Sequence, residues 1–237
     1  MTDSTTKVVM ITGAAGGLGS ELALCCAFAG WESILVDNDK RKLEILYDRI
    51  LAAGGTEPVI HVMDFASTRP DDCVEITQSL QQKYYGLDAL VHCAVAFDGL
   101  QPLDQLAPND WLRIMQVNMN TPWLLSVACL PLLRSRPHAS LVFLAEDMEK
   151  MRGAYWGAYG VSKWGLDALA GQFASELNNT KVQVLYVDPG PLRTTLRSRV
   201  YHQESAATLR HPSEAAAKIM DILERDDVFH DYRMKLG

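Results

Sequence analysis

The sequence predicts an α/β fold, a doubly wound and mostly parallel sheet with helices on both faces. Short β-branched or apolar runs alternate with longer stretches of helical periodicity along the chain, as buried strands alternate with their crossover helices. A glycine-rich turn, TGAAGGLG, follows the first apolar run directly. No Gly, Ser or Pro tract and no internal repeat divides the 237 residues, so one domain over 1–237 is expected.

Strands are expected near 8–12, 33–37, 59–63, 89–93, 140–145 and 182–187, each a short apolar run. The first helix, near 17–29, ends at Gly30, which suits a left-handed C-cap. Further helices are expected near 40–53, 71–84, 108–134, 155–177 and 213–225. The stretch 192–212 is the least regular, and the tail DVFHDYRMKLG could add a weak seventh strand.

Composition narrows the partners. At 48% hydrophobic and 22% charged the chain has ordinary globular composition, and its net charge of −7 disfavours nucleic acid and anionic membrane surfaces. The odd number of cysteines, Cys25, Cys26, Cys73, Cys93 and Cys129, mainly in apolar or helical contexts, reads as a reduced, cytoplasmic protein. The first residues show no secretory pattern, no apolar run reaches the length of a membrane span, and the scattered histidines offer no metal site. Small molecules or protein partners are the expected ones.

Gly13, Gly17 and Gly19 stand where a strand gives way to a helix. Glycines permit the tight turn and the close backbone approach, and a helix N-terminus offers free N–H groups to a diphosphate. Leu18 is counted with them among the expected cofactor contacts. Asp37 ends the second strand, where a carboxylate can accept both hydrogen bonds of an adenosine ribose diol and repel a 2′-phosphate. This favours NAD, with NADP possible because Lys40, Arg41 and Lys42 follow.

From here the residues resemble the short-chain dehydrogenase/reductase family along nearly the whole chain. The resemblance lies in an ordered set: Thr12-Gly13-x-x-x-Gly17-x-Gly19, Asp64 after the third strand, Asn118 in MQVNMN, Tyr159-x-x-x-Lys163, and Pro189-Gly190-x-x-x-Thr194. It implies a Rossmann-type sheet of about seven strands and assembly as a homodimer or homotetramer. It also implies NAD(P)-dependent hydride exchange with an alcohol or carbonyl substrate. By position, it gives Asp64 and the backbone of Phe65 to the adenine, Asn118 to a kinked helix holding a proton-relay water, and Lys163 to the nicotinamide ribose. Tyr159 becomes the acid/base, its pKa lowered by Lys163 and the cofactor ring. Pro189, Gly190 and Thr194 would hold the carboxamide.

Two positions depart from the family pattern. His92-Cys93-Ala94-Val95 stands where the family has Asn-Asn-Ala-Gly; Ala94 matches and stays among the expected cofactor contacts. Glu146 stands at the catalytic Ser position. Loss of such a hydrogen-bond donor costs about 10²- to 10³-fold in rate. An ionised carboxylate ~4 Å from a developing alkoxide would cost on the order of 4 kcal/mol more at an effective dielectric of ~20.

Glu146 can therefore be protonated and donate as the Ser would, turn away or bind a basic substrate group, or mark a dinucleotide-binding scaffold that has lost its chemistry. Arg193, Arg197 and Arg199 lie in or beside the loop expected to select substrate, with Tyr201 as its aromatic. The apolar stripes of the 108–134 and 155–177 helices suit packing on the sheet and a helix-to-helix dimer interface.

Overall fold

In the computed structural model, which describes residues 6–201, 203–225, 229 and 231–236, seven strands hydrogen-bond in the order β3-β2-β1-β4-β5-β6-β7. They are β1 Val8–Thr12, β2 Glu32–Asp37, β3 Val59–Val62, β4 Ala89–His92, β5 Ala139–Leu144, β6 Val182–Asp188 and β7 Arg233–Lys235. Every pairing is parallel. The tail therefore does supply a strand, although residues 227, 228, 230 and 237 of it, and position 202 of the expected substrate loop, lie outside the described residues.

Alternation along the strands builds two layers. Val9 and Ile11 of β1, with Leu35 of β2, pack with Leu22 and Ile219 in one core. Val8 and Met10, with Ile34 and Val36, join Ile76, Leu125 and Phe173 in the other. Successive strand side chains point to opposite faces, so a continuous apolar run is what two covered faces require. Each such fully buried side chain contributes about 1.5–3 kcal/mol over exposure.

The first core is covered by α1 (Gly17–Phe28), α2 (Lys40–Ala52) and, later in the chain, Pro212–Leu223; the second by α3 (Pro70–Lys83) and two long helices described next. No helix among the described residues is long and apolar enough to cross a membrane.

Element ends agree with the expected ones to within two residues, apart from three local differences. The helix expected over 108–134 is α4 (Pro108–Met115), a π-helical turn at Gln116–Asn120, and α5 (Thr121–Arg134). A one-turn helix, α6 (Met148–Met151), follows the β5 loop, with Asp147 as its N-cap accepting from the Lys150 amide. The expected 155–177 helix starts at Gly157 as α7 (Gly157–Leu177), because Tyr155 takes the left-handed region at φ 75°. Within the irregular 192–212 stretch, α8 (Thr195–Val200) is nucleated by Thr194, whose side chain accepts from the Arg197 amide; α9 (Pro212–Leu223) follows.

β1 pairs with both β2 and β4, so chain order reverses there and a crevice opens at the carboxyl ends of β1 and β4.

Candidate active site

The glycine turn fills the crevice floor with backbone alone. Gly13 sits at φ 62°, and a Cβ there would lie 2.5 Å from the Ala94 nitrogen; a Cβ at Gly19 would lie 2.3 Å from the Gly13 carbonyl oxygen. Both spacings are within contact distance, so only glycine permits this approach. No side chain caps α1 at Gly16, and its first amides face the crevice unscreened. This cradle fits a diphosphate, with the helix dipole adding positive potential.

A cavity of about 730 Å³ extends from this cradle to Tyr159. Its walls bring together most of the residues singled out in the sequence. Gly13, Gly17, Leu18 and Gly19 line it at the cradle, with Ala94 against Gly13 and Thr194 against Gly17, and Asn118, Glu146, Tyr159, Lys163, Pro189 and Gly190 share the wall.

Three expected cofactor contacts are not on that wall. Asp37 lies beside it, its carboxylate accepting from the amides of Ala15 at 3.0 Å and Asp39 at 3.1 Å, which leaves it edging the glycine turn. Asp64 is exposed and closes its own turn, accepting from the Ala66 amide at 3.0 Å. The Phe65 side chain is buried in the second core, and its carbonyl accepts from the Thr121 hydroxyl at 2.9 Å.

The π turn presents Asn118, only 2% exposed, to the loop after β4. Its Oδ1 accepts from the Ala96 amide at 2.7 Å, while its Nδ2 donates to the Ala96 carbonyl at 2.9 Å and to Ser162 Oγ at 3.1 Å. The side chain thus ties that loop to α7 one residue before Lys163.

Neither departure after β4 disturbs the sheet. His92 stacks on Phe143 at 5.0 Å between ring centroids and shares a 2.9 Å hydrogen bond with Ser126; burial pushes its imidazole down to about 3. It is a neutral core group. Burial likewise pushes the Cys93 thiol up to about 12.

Glu146 does not turn away. Its Oε1 accepts a hydrogen bond from the Tyr159 hydroxyl at 2.7 Å. Tyr159 is 3% exposed, and its phenol is raised well above 10, first by burial, then by the charge and hydrogen bond of Glu146. This corrects the lowered value expected from Lys163. The Lys163 ammonium stands 5.6 Å from the phenol ring centroid and donates instead to the Leu144 carbonyl at 2.9 Å. Burial lowers its own pKa, against the opposing pull of Glu146. The phenol proton is aimed at a carboxylate, so phenolate formation is disfavoured and the proton is shared with a better acceptor than a carbonyl.

Two aromatic rings that were not singled out in the sequence, Phe97 and Trp156, flank this pair. Phe97 meets Tyr159 edge-on at 4.8 Å, and Trp156 lies 5.9 Å from Tyr159 and 6.5 Å from Tyr201. Trp156 could have been suspected, standing three residues before Tyr159 and so on the same helical side. Phe97 carries no local signal.

The family model described as short chain dehydrogenase matches residues 7–205. The oxidoreductase YciK of Escherichia coli K12 is 29% identical over 208 residues, covering 88% of this chain and 82% of its own. A short chain dehydrogenase of Shigella flexneri 2a, in a structure complexed with NADP, superposes with TM-score 0.92 at 26% identity, covering 99% of this chain and 98% of its own. One from Escherichia coli CFT073, complexed with NADPH, gives 0.91 at 27%, covering 97% and 95%.

Proposed function

The chain belongs to the short-chain dehydrogenase family of oxidoreductases, and from that footing we propose that it exchanges hydride between NAD and a small alcohol or carbonyl compound, with Tyr159 moving the proton. The observation that carries this reading is one continuous cavity joining the uncapped end of α1 to the Tyr159–Glu146–Lys163 group. A bound dinucleotide supplies the hydride; the chain supplies placement and one proton.

In this reading the turn at Gly13, Gly17, Leu18 and Gly19 takes the diphosphate, and Ala94 backs the adenosine side. Asp64 and the backbone of Phe65 meet the adenine, as the family resemblance implies. Lys163 turns from the Leu144 carbonyl toward the nicotinamide ribose, and the turn at Pro189 and Gly190 with Thr194 holds the carboxamide. Asn118 fixes α7 so that Lys163 and Tyr159 face the same space. Tyr159 donates its proton to a carbonyl oxygen in reduction and accepts one from an alcohol in oxidation. Glu146 opposes both while it holds the phenol proton, so turnover of uncharged substrates is slow. At the limit of this effect lies the alternative, a catalytically impaired dinucleotide-binding protein or scaffold.

The preference for NAD rests on Asp37, whose carboxylate borders the glycine turn where a 2′-phosphate would bring like charge. NADP is the second reading, favoured by the NADP and NADPH complexes of the two neighbours and by Lys42 at the cavity wall. Calorimetric titration distinguishes them. NAD is expected to bind at least about tenfold more tightly than NADP, a difference of about 1.4 kcal/mol, and Asp37→Ala is expected to narrow that ratio. Tighter binding of NADP to the wild-type protein would establish the second reading.

We further place the protein in the cytoplasm, as one domain over 1–237 assembled into a homodimer or homotetramer. Leu112 of α4, Trp123 of α5 and Val161 of α7 are exposed apolar groups that such an interface would cover.

A further inference from the structure

We propose that the inner end of the cavity binds a cationic nitrogen, so that the substrate is an amine-bearing compound whose ammonium group is met by Glu146 and the neighbouring aromatic rings. This rests on the reading of the cavity as the substrate end of a dinucleotide groove, and it names the class of substrate that end selects.

The first support is a carboxylate lacking a bonded counter-cation. Tyr159 occupies Oε1 of Glu146, and among the described residues no Lys, Arg or His forms an ion pair with it. The neighbouring basic groups are engaged elsewhere. Arg197 is held by both carboxylate oxygens of Glu204 at 2.6 and 2.8 Å, Lys150 pairs with Asp147 at 3.5 Å, and Lys163 donates to the Leu144 carbonyl. Lys163 and Arg197 feel the Glu146 charge only from beyond bonding distance. A half-buried carboxylate that faces a cavity in this way is stabilised by a ligand bringing the opposite charge and a donor.

The second support is independent of charge. Phe97, Trp156, Tyr159 and Tyr201 form a continuous aromatic wall, with neighbouring centroids 4.8 to 6.5 Å apart. Ring faces attract a desolvated ammonium, tryptophan most strongly. Tyr201 already has the Arg197 guanidinium 4.2 Å from its centroid, so this wall is one that accepts cations. The negative ring faces themselves repel a carboxylate or phosphate. Arg199 at the mouth is exposed and screened by salt, and the chain's net charge of −7 draws cations toward it.

Matched probes test this on the full chain: benzylamine, charged at neutral pH, against benzyl alcohol, titrated calorimetrically with NAD in the same samples. Benzylamine is expected to bind about tenfold more tightly than benzyl alcohol. Glu146→Gln is expected to abolish that preference and Trp156→Leu to reduce it, with NAD binding to both variants serving as the check that they are folded. Equal or weaker binding of benzylamine, a preference that survives Glu146→Gln, or no detectable benzylamine binding would overturn the proposal. Failure of both NAD and NADP to bind while benzylamine is still preferred would remove the dinucleotide reading and leave the cation site standing. NAD binding without that preference would do the reverse.

Discussion

Glu146→Ser is expected to raise kcat/KM for an uncharged ketone by about 10²-fold or more, the size of one oxyanion donor gained. The substitution does three things at once. It removes the acceptor that holds the Tyr159 proton at 2.7 Å, removes a negative charge from beside the developing alkoxide, and supplies a hydroxyl to that oxygen. The charge contribution alone, on the order of 4 kcal/mol at ~4 Å and an effective dielectric of ~20, would permit a larger gain. Steady-state kinetics with a panel of neutral ketones checks it. No increase would mean that Glu146 does not limit the proton transfer, and the contact with Tyr159 would then be incidental to catalysis.

Tyr159→Phe should have the opposite effect, lowering kcat by about 10²- to 10⁴-fold, the usual contribution of a positioned acid or base. Dinucleotide affinity should change little, because the cradle at Gly13, Gly17 and Gly19 is backbone. The pH profile separates the phenol from its neighbours. With Tyr159 raised well above 10 by burial and Glu146, alcohol oxidation, which needs the phenolate, should still be rising with pH at the top of the working range. In Glu146→Gln the negative charge is gone and the phenolate is easier to form, so that rising limb should move to lower pH. A profile unmoved by Glu146→Gln would locate the titrating group elsewhere.

The parts of the molecule legible in the sequence are those where local geometry and residue type are tightly coupled. Gly13 and Gly19 could be placed because a Cβ at either would strike backbone. The strands could be placed because a doubly covered sheet demands an uninterrupted apolar run, as in VVMIT. The π turn at Gln116–Asn120 escaped the periodicity because one extra residue in a turn leaves the apolar stripe of a long helix nearly intact. Residues Arg233–Lys235 alternate polar and apolar over only three positions, too short a run to specify a strand without the edge that β6 offers.

The candidate site divides in the same way. Tyr159 and Lys163 were visible as a pair one helical turn apart. That Lys163 bonds the Leu144 carbonyl, and that Tyr159 bonds Glu146, depends on how the loop after β5 leaves the sheet, which no spacing reports. Phe97, Trp156 and Tyr201 come from three separate segments and meet only in the folded chain.

A thermal-unfolding comparison with NAD, NADH, NADP and NADPH tests most directly whether the groove running from α1 to Tyr159 is a nicotinamide dinucleotide site. A ligand that binds the folded chain alone stabilises it by about 2.7 kcal/mol at a hundred times its dissociation constant. The account predicts that NAD or NADH does so and that Gly13→Ala, which drives a Cβ into the Ala94 backbone, abolishes the response. No stabilisation by any of the four would contradict it.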